Sequence, residues 1–91
     1  AFALSANYPN PFNPSTKINF SLPVKANVSI VVFNILGQAV SKLVDQEYEA
    51  GSHSVTFNAE NLGSGVYIYK LNAVGANGKN FTSSHKMTLL K

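Results

Sequence analysis

The chain has 91 residues, 45% of them hydrophobic and only 12% charged, about half the ~25% charge of an ordinary domain. That balance excludes intrinsic disorder, which needs low hydrophobicity and high charge, and a long surface helix or coiled coil, which needs Glu, Lys and Arg in quantity. The net charge of +3 comes from lysines, with no arginine anywhere, so the bidentate base and phosphate contacts of nucleic-acid readers are missing and no nucleic-acid partner is expected.

The chain opens at Ala1 without an initiator Met, a basic leader or an apolar signal-peptide stretch, which points to a piece of a longer precursor. Asn7-Tyr8-Pro9-Asn10-Pro11-Phe12-Asn13-Pro14 follows. Proline fixes its own φ and pushes its predecessor toward extended geometry. Residues 1–16 therefore read as a stiff, turn-rich entry strap, and residues 17–91 as the folded domain behind it.

From Lys17 onward, period-two patterns dominate. Ile18, Phe20 and Leu22 share one face, and Pro23 ends the run. Val28 to Phe33 is rich in β-branched residues, as expected for a central strand buried on both faces. Asn34-Ile35-Leu36-Gly37-Gln38 reads as a turn with Gly37 at positive φ. Ala39 to Val44 resumes strand composition, but the Val40/Leu43/Val44 spacing calls for a bulge or one helical turn. Asp45, Glu47 and Glu49 are expected in a solvated acidic loop. His53, Val55 and Phe57 alternate with polar residues, and Asn61-Leu62-Gly63-Ser64-Gly65 breaks the chain again. Tyr67, Tyr69, Leu71 and Ala73 then share a face. Asn77-Gly78 signals a hairpin, and a last strand runs from Phe81 to Leu90 with His85, Met87 and Leu89 in phase.

No segment supports a helix of normal length. The pattern is an all-β antiparallel β-sandwich of about seven strands. Leu62-x-x-Gly65-x-Tyr67 places a tyrosine at the start of a strand just after a tight corner. In Ig-like sandwiches such a residue is a tyrosine corner, its hydroxyl bonding backbone a few residues upstream. An ordinary core tyrosine fits the same pattern.

Reactive groups are scarce. Cysteine is absent, which excludes disulfides, thiol chemistry and cysteine-bound zinc. Two histidines and one Asp offer no nucleophile–base–acid set, and no further ligands lie at metal-site spacing beside His53 or His85. No catalytic residues, metal, cofactor or small-molecule substrate are expected. A glycan platform would fall to Tyr8, Phe12, Tyr48 or Tyr69, since no Trp is present. Asn27-Val28-Ser29 and Asn80-Phe81-Thr82 match the N-glycosylation pattern, which arises easily by chance in a chain so rich in Asn and Ser.

Charge is unevenly placed. Residues 1–60 hold Lys17, Lys25 and Lys42 against Asp45, Glu47, Glu49 and Glu60, whereas residues 61–91 hold Lys70, Lys79, Lys86 and Lys91 with no acid. The C-terminal third either faces an acidic partner or protects edge strands with solvated lysines.

Taken in order, these motifs resemble the type IX secretion system C-terminal sorting domain (type A). The resemblance runs through Leu4-x-x-Asn7-Tyr8-Pro9-Asn10-Pro11-Phe12-Asn13-Pro14-Ser15-Thr16, Val32-Phe33-Asn34-x-Leu36-Gly37-Gln38, Ser64-Gly65-Val66-Tyr67 and Lys86-Met87-x-Leu89-Leu90-Lys91. Ala6, Phe33, Gln38 and Phe57 depart mildly from its usual pattern. It implies an Ig-like sandwich at the C-terminus of a secreted precursor from a Gram-negative bacterium, behind an N-terminal cargo domain that transits the periplasm. Outer-membrane secretion machinery would read the domain. A sortase-like surface protease would remove it, leaving the cargo at the cell surface or in the medium. The resemblance places partner recognition on Ser64, Gly65, Val66, Tyr67, Lys86, Met87, Leu89, Leu90 and Lys91. On this reading, deleting residues 86–91 abolishes export while the sandwich stays largely folded. The sequence leaves open an edge-strand dimer, and an alternative role as an Ig-like adhesive or carbohydrate-binding module of a surface enzyme.

Overall fold

In the computed structural model, which describes residues 1–91, the alternating patterns become seven strands. They are β1 (Ala3–Leu4), β2 (Ser15–Leu22), β3 (Ala26–Phe33), β4 (Ala39–Tyr48), β5 (Gly51–Asn58), β6 (Gly65–Gly75) and β7 (Asn80–Leu89). All pairings between them are antiparallel, in two sheets ordered β1-β2-β5 and β4-β3-β6-β7. The chain changes sheet after β2, β4 and β5, which is the Ig-like sandwich arrangement. Inward residues of the two sheets close one core: Ile18, Phe20 and Phe57 on one side, Ile30, Tyr69 and Met87 on the other.

Tertiary pairing overrides several local expectations. β3 is central, but only its inner face is fully buried; Ser29, Val31 and Phe33 are half-exposed, because no layer covers the outer face of the four-stranded sheet. Asp45 and Glu47 sit on β4 rather than in a loop, opposite Ser29 and Asn27 of β3. The long β3 edge holds them extended, and Lys25 lies 3.4 Å from Glu47 and 3.6 Å from Glu49. The hydrogen bond to Glu47, with both carboxylates nearby, holds the Lys25 ammonium above the usual lysine range. Of the alternatives at Val40–Val44 the bulge is realised, as register shifts between β3 and β4. β7 ends at Leu89, one residue early, because its partner strand β6 begins at Gly65, opposite Leu89. Of the four aromatics considered for a platform, only Tyr8 is exposed, at 79%; Phe12 and Tyr69 are core residues.

The strap is bonded along its length. Ser5 N–H donates to Asn19 O at 2.9 Å, and Tyr8 and Lys17 exchange backbone bonds of 3.0 and 2.9 Å. Asn7 Nδ2 donates to Thr16 Oγ1 (3.0 Å) and to Pro9 O (3.1 Å), and the Thr16 hydroxyl donates to Pro9 O (2.8 Å). The chain then crosses to the other sheet, where the Phe12 ring is buried 6.1 Å from Phe57, centroid to centroid. The hydroxyl of the core residue Tyr69 donates to Ser5 O at 2.8 Å, and Phe2 stacks on Phe81 with centroids 5.3 Å apart.

Two expectations follow. Phe12→Ala should destabilise the domain by about 3–5 kcal/mol, while Tyr8→Ala, on the same strap, should stay within about 0.5 kcal/mol; urea unfolding of the purified variants measures both. Burial pushes the Tyr69 phenol up to about 12, against a smaller opposing effect of the Asn7 backbone. The folded chain then holds a proton that the unfolded chain has lost above an ordinary tyrosine pKa of about 10, so stability should be intact below pH ~10 and fall between pH ~10 and ~12. Absorbance at 295 nm should show a phenol ionising near pH 12, a phase that Tyr69→Phe removes.

Candidate functional site

The β5–β6 corner is built by short-range bonds. Ala59 N–H donates to Pro14 O (2.8 Å), Leu62 N–H to Ala59 O (3.0 Å), and Glu60 N–H to Asn58 Oδ1 (2.9 Å). The chain re-enters a strand at Gly65, whose φ of 153° suits a residue without Cβ. Two residues on, the Tyr67 hydroxyl donates to Gly63 O at 2.7 Å. This is a tyrosine corner: the phenol ring fills the core edge, at 8% exposure, while its oxygen fixes the turn that precedes it.

Register brings this corner against the end of the chain. Gly65 pairs with Leu89, Val66 with Thr88, Tyr67 with Met87 and Ile68 with Lys86. Beyond β7, Lys91 N–H donates to Ser64 Oγ at 3.0 Å, and the Lys91 ammonium donates to Glu60 O. The nine residues named from the sequence, drawn from two segments, therefore lie together on one end of the β6–β7 ladder.

Within the strands their side chains alternate in direction, and Ser64, Leu90 and Lys91 lie beyond the strand ends. Tyr67, Met87 and Leu89 point inward, the last two with no exposed surface. Ser64, Gly65, Val66, Lys86, Leu90 and Lys91 are exposed and form the part another molecule can touch. This corrects the expectation that residues 86–91 can be deleted from an otherwise folded sandwich. The deletion removes Met87 and Leu89 from the core, and truncating either to Ala already costs roughly 2–5 kcal/mol.

Three further residues, Asn10, Phe12 and Thr88, belong here. Away from β6, the Thr88 carbonyl accepts the Phe12 amide at 3.0 Å, and Thr88 N–H donates to Asn10 Oδ1 at 3.0 Å. Leu90 N–H completes a short parallel bridge to Phe12 O. The strap thus covers the last stretch of the β7 edge. By the antiparallel alternation, the backbone groups of Thr82, Ser84 and Lys86 also point away from β6. No backbone hydrogen bond reaches them. The strap's seat on β7 left no local signal, because Asn10 and Thr88 are 78 residues apart.

The histidines are occupied by backbone. His53 Nε2 lies 2.7 Å from Glu49 O and His85 Nε2 lies 2.9 Å from Leu4 O, so each donates to a carbonyl. No three His, Cys, Asp or Glu side chains come together as a metal-holding group. Two shallow hollows of about 190 and 170 Å³ mark the surface, at Tyr8–Lys17 and at Asn27–Asp45. Both are smaller than the roughly 300 Å³ usual for a small-molecule pocket.

A family model described as "Secretion system C-terminal sorting domain" matches residues 6–87. No curated protein gives a significant sequence match. Among solved structures, CopC from Methylosinus trichosporium OB3b superposes with a TM-score of 0.66 at 16% identity, covering 98% of this chain and 93% of CopC. At that identity the likeness establishes the shared β-fold alone.

The corner hydroxyl can be tested directly. Tyr67→Phe keeps the ring and removes one hydrogen bond, so it should cost about 1 kcal/mol. Thermal unfolding should show a fall of roughly 4–8 °C.

Proposed function

The chain belongs to the secretion system C-terminal sorting domain family, and we propose that the outward residues at the β6–β7 end are the address read by the outer-membrane machinery of type IX secretion. The observation that carries this reading is convergence: the 64–67 and 86–91 segments meet on one surface, joined where Lys91 N–H reaches Ser64 Oγ. Ser64, Gly65, Val66, Leu90 and Lys91 supply shape and charge there. Tyr67, Met87 and Leu89 act from below, holding the backbone that presents them.

The physical mode is recognition rather than reaction. A strand edge recruits an extended segment through backbone bonds, with neighbouring side chains giving specificity. On β7 that edge is open over Thr82, Ser84 and Lys86 and closed at Thr88 by the strap. Lys86 lies at the boundary between the two, where its charge meets an arriving partner first. The cargo precedes residue 1, and the entry strap, residues 1–16, leads from it into the sandwich, to which it contributes β1 and the first residues of β2. The cargo crosses the periplasm with the sandwich folded. A sortase-like protease at the cell surface then cuts ahead of β1, and the cargo is anchored or released.

The test fuses residues 1–91 behind a fluorescent periplasmic reporter in a host with a functioning type IX system. The reporter should reach the surface or medium. Lys86→Glu combined with Leu90→Ser should hold it inside, because both side chains are outward and neither supports the core. Retention of the unaltered fusion in the periplasm would sink the sorting role, and normal export of the double variant would sink the residue assignment.

A further inference from the structure

Exposed apolar side chains are concentrated at one end of the molecule. β3 ends, β4 begins, β6 begins and β7 ends at the same end of the four-stranded sheet. Five of the seven large exposed hydrophobic residues lie there: Ile35, Leu36, Val66, Ile68 and Leu90. Val66 and Leu90 belong to the address already described. Ile35 and Leu36, at 73% and 78% exposure, are on a different element, the β3–β4 turn.

That turn needs no apolar residue for its own stability. Gly37 N–H donates to Asn34 O and Asn34 N–H to Gln38 O, both at 3.0 Å. Asn34 Oδ1 accepts the amides of Leu36 and Gln38, again at 3.0 Å, and Asn34 Nδ2 donates to Gln38 Oε1 at 2.8 Å. Gly37, at φ 82°, supplies the left-handed residue that closes it. With the turn specified by Asn34 and Gly37, the two central positions are free to be polar, as turn residues usually are. An Ile-Leu pair there costs solubility and gains no burial, which is the signature of a contact surface.

We propose that the Ile35-Leu36 turn is a second anchor of the sorting surface, docking with Ile68 into an apolar pocket on a protein partner whose rim carries carboxylates. The inference rests on the sorting reading and extends it from the β6–β7 ladder across the sheet end. Charge complementarity supplies the rim. Lys70 and Lys86 flank Ile68 on the open face, with Lys86 directly opposite it, and neither is in a salt bridge. Lys42, opposite Val31, is tied to Asp45 at 3.3 Å. Glu47 and Glu49 sit at the other end of the sheet against Lys25. A protein fits better than a lipid surface because the apolar groups are split between a rigid turn and a strand face beside an open backbone edge. Rigid anchors lose little entropy on docking.

The experiment places Ile35→Ser with Leu36→Ser in the same reporter fusion. Export should fall on the order of tenfold, as for loss of an interface anchor, while the melting temperature of the purified chain stays within about 2 °C, as for surface substitutions. Val74→Ser, an exposed apolar residue at the opposite end of the same face, should leave export unchanged, and Lys70→Glu should lower it. Normal export of the double variant overturns the anchor, and normal export of Lys70→Glu overturns the acidic rim. Failure of the unaltered fusion to leave the cell overturns the sorting reading and this proposal together. Sedimentation with phosphatidylglycerol–phosphatidylethanolamine vesicles that the double variant abolishes would assign the turn to a lipid surface and overturn the protein partner.

Discussion

Phe12 ties the entry strap to the last strand of the chain. Its ring is buried against Phe57 of β5, while its amide and carbonyl bond Thr88 and Leu90 at the end of β7. One residue therefore touches both sheets and both ends of the sequence. A sandwich of this size buries a modest fraction of its surface and has no disulfide to close it. The strap supplies that closure, with the Asn7–Thr16–Pro9 hydrogen bonds holding its approach and the Tyr69 hydroxyl holding Ser5.

The surface proposed for recognition depends on this closure. β7 can present Lys86 and Leu90 outward only because Met87 and Leu89 are held inward, and Leu89 lies opposite Gly65 where the tyrosine corner fixes the start of β6. Exposed residues and core residues alternate along one short segment. Removing the segment therefore removes part of the core as well as the proposed address, so the proposed recognition and the packing separate only through substitutions at its exposed positions. The same alternation divides β6, where Tyr67 and Tyr69 fill the core and Val66 and Ile68 face solvent.

Much of this was legible from residue order. Tyr67, Tyr69, Leu71 and Ala73 could share a buried face only in an extended strand, and Gly37 and Asn77-Gly78 marked turns because their backbone demands are local. The family was legible too, since the Ser64–Tyr67 and Lys86–Lys91 motifs carry the resemblance, and the register sets the two motifs side by side. Misplaced features were those decided by a neighbour in space. Asp45 and Glu47 look like a loop until β3 is set beside them, and Phe12 looks like a surface aromatic until the two sheets close over it. The short β1 has too few residues for any period to be visible.

The chain is small, weakly charged and free of cysteine, with its basic excess in the last third. Sequence alone determined the all-β class, the alternation of faces and the family, because side-chain period and motif order are properties of the chain itself. Only the tertiary structure decided that the strap seats on β7, that Met87 and Leu89 point into the core, and that Ile35-Leu36 shares an end with Leu90. Those facts depend on which strands become neighbours, and strand pairing brings together residues that the sequence leaves dozens of positions apart.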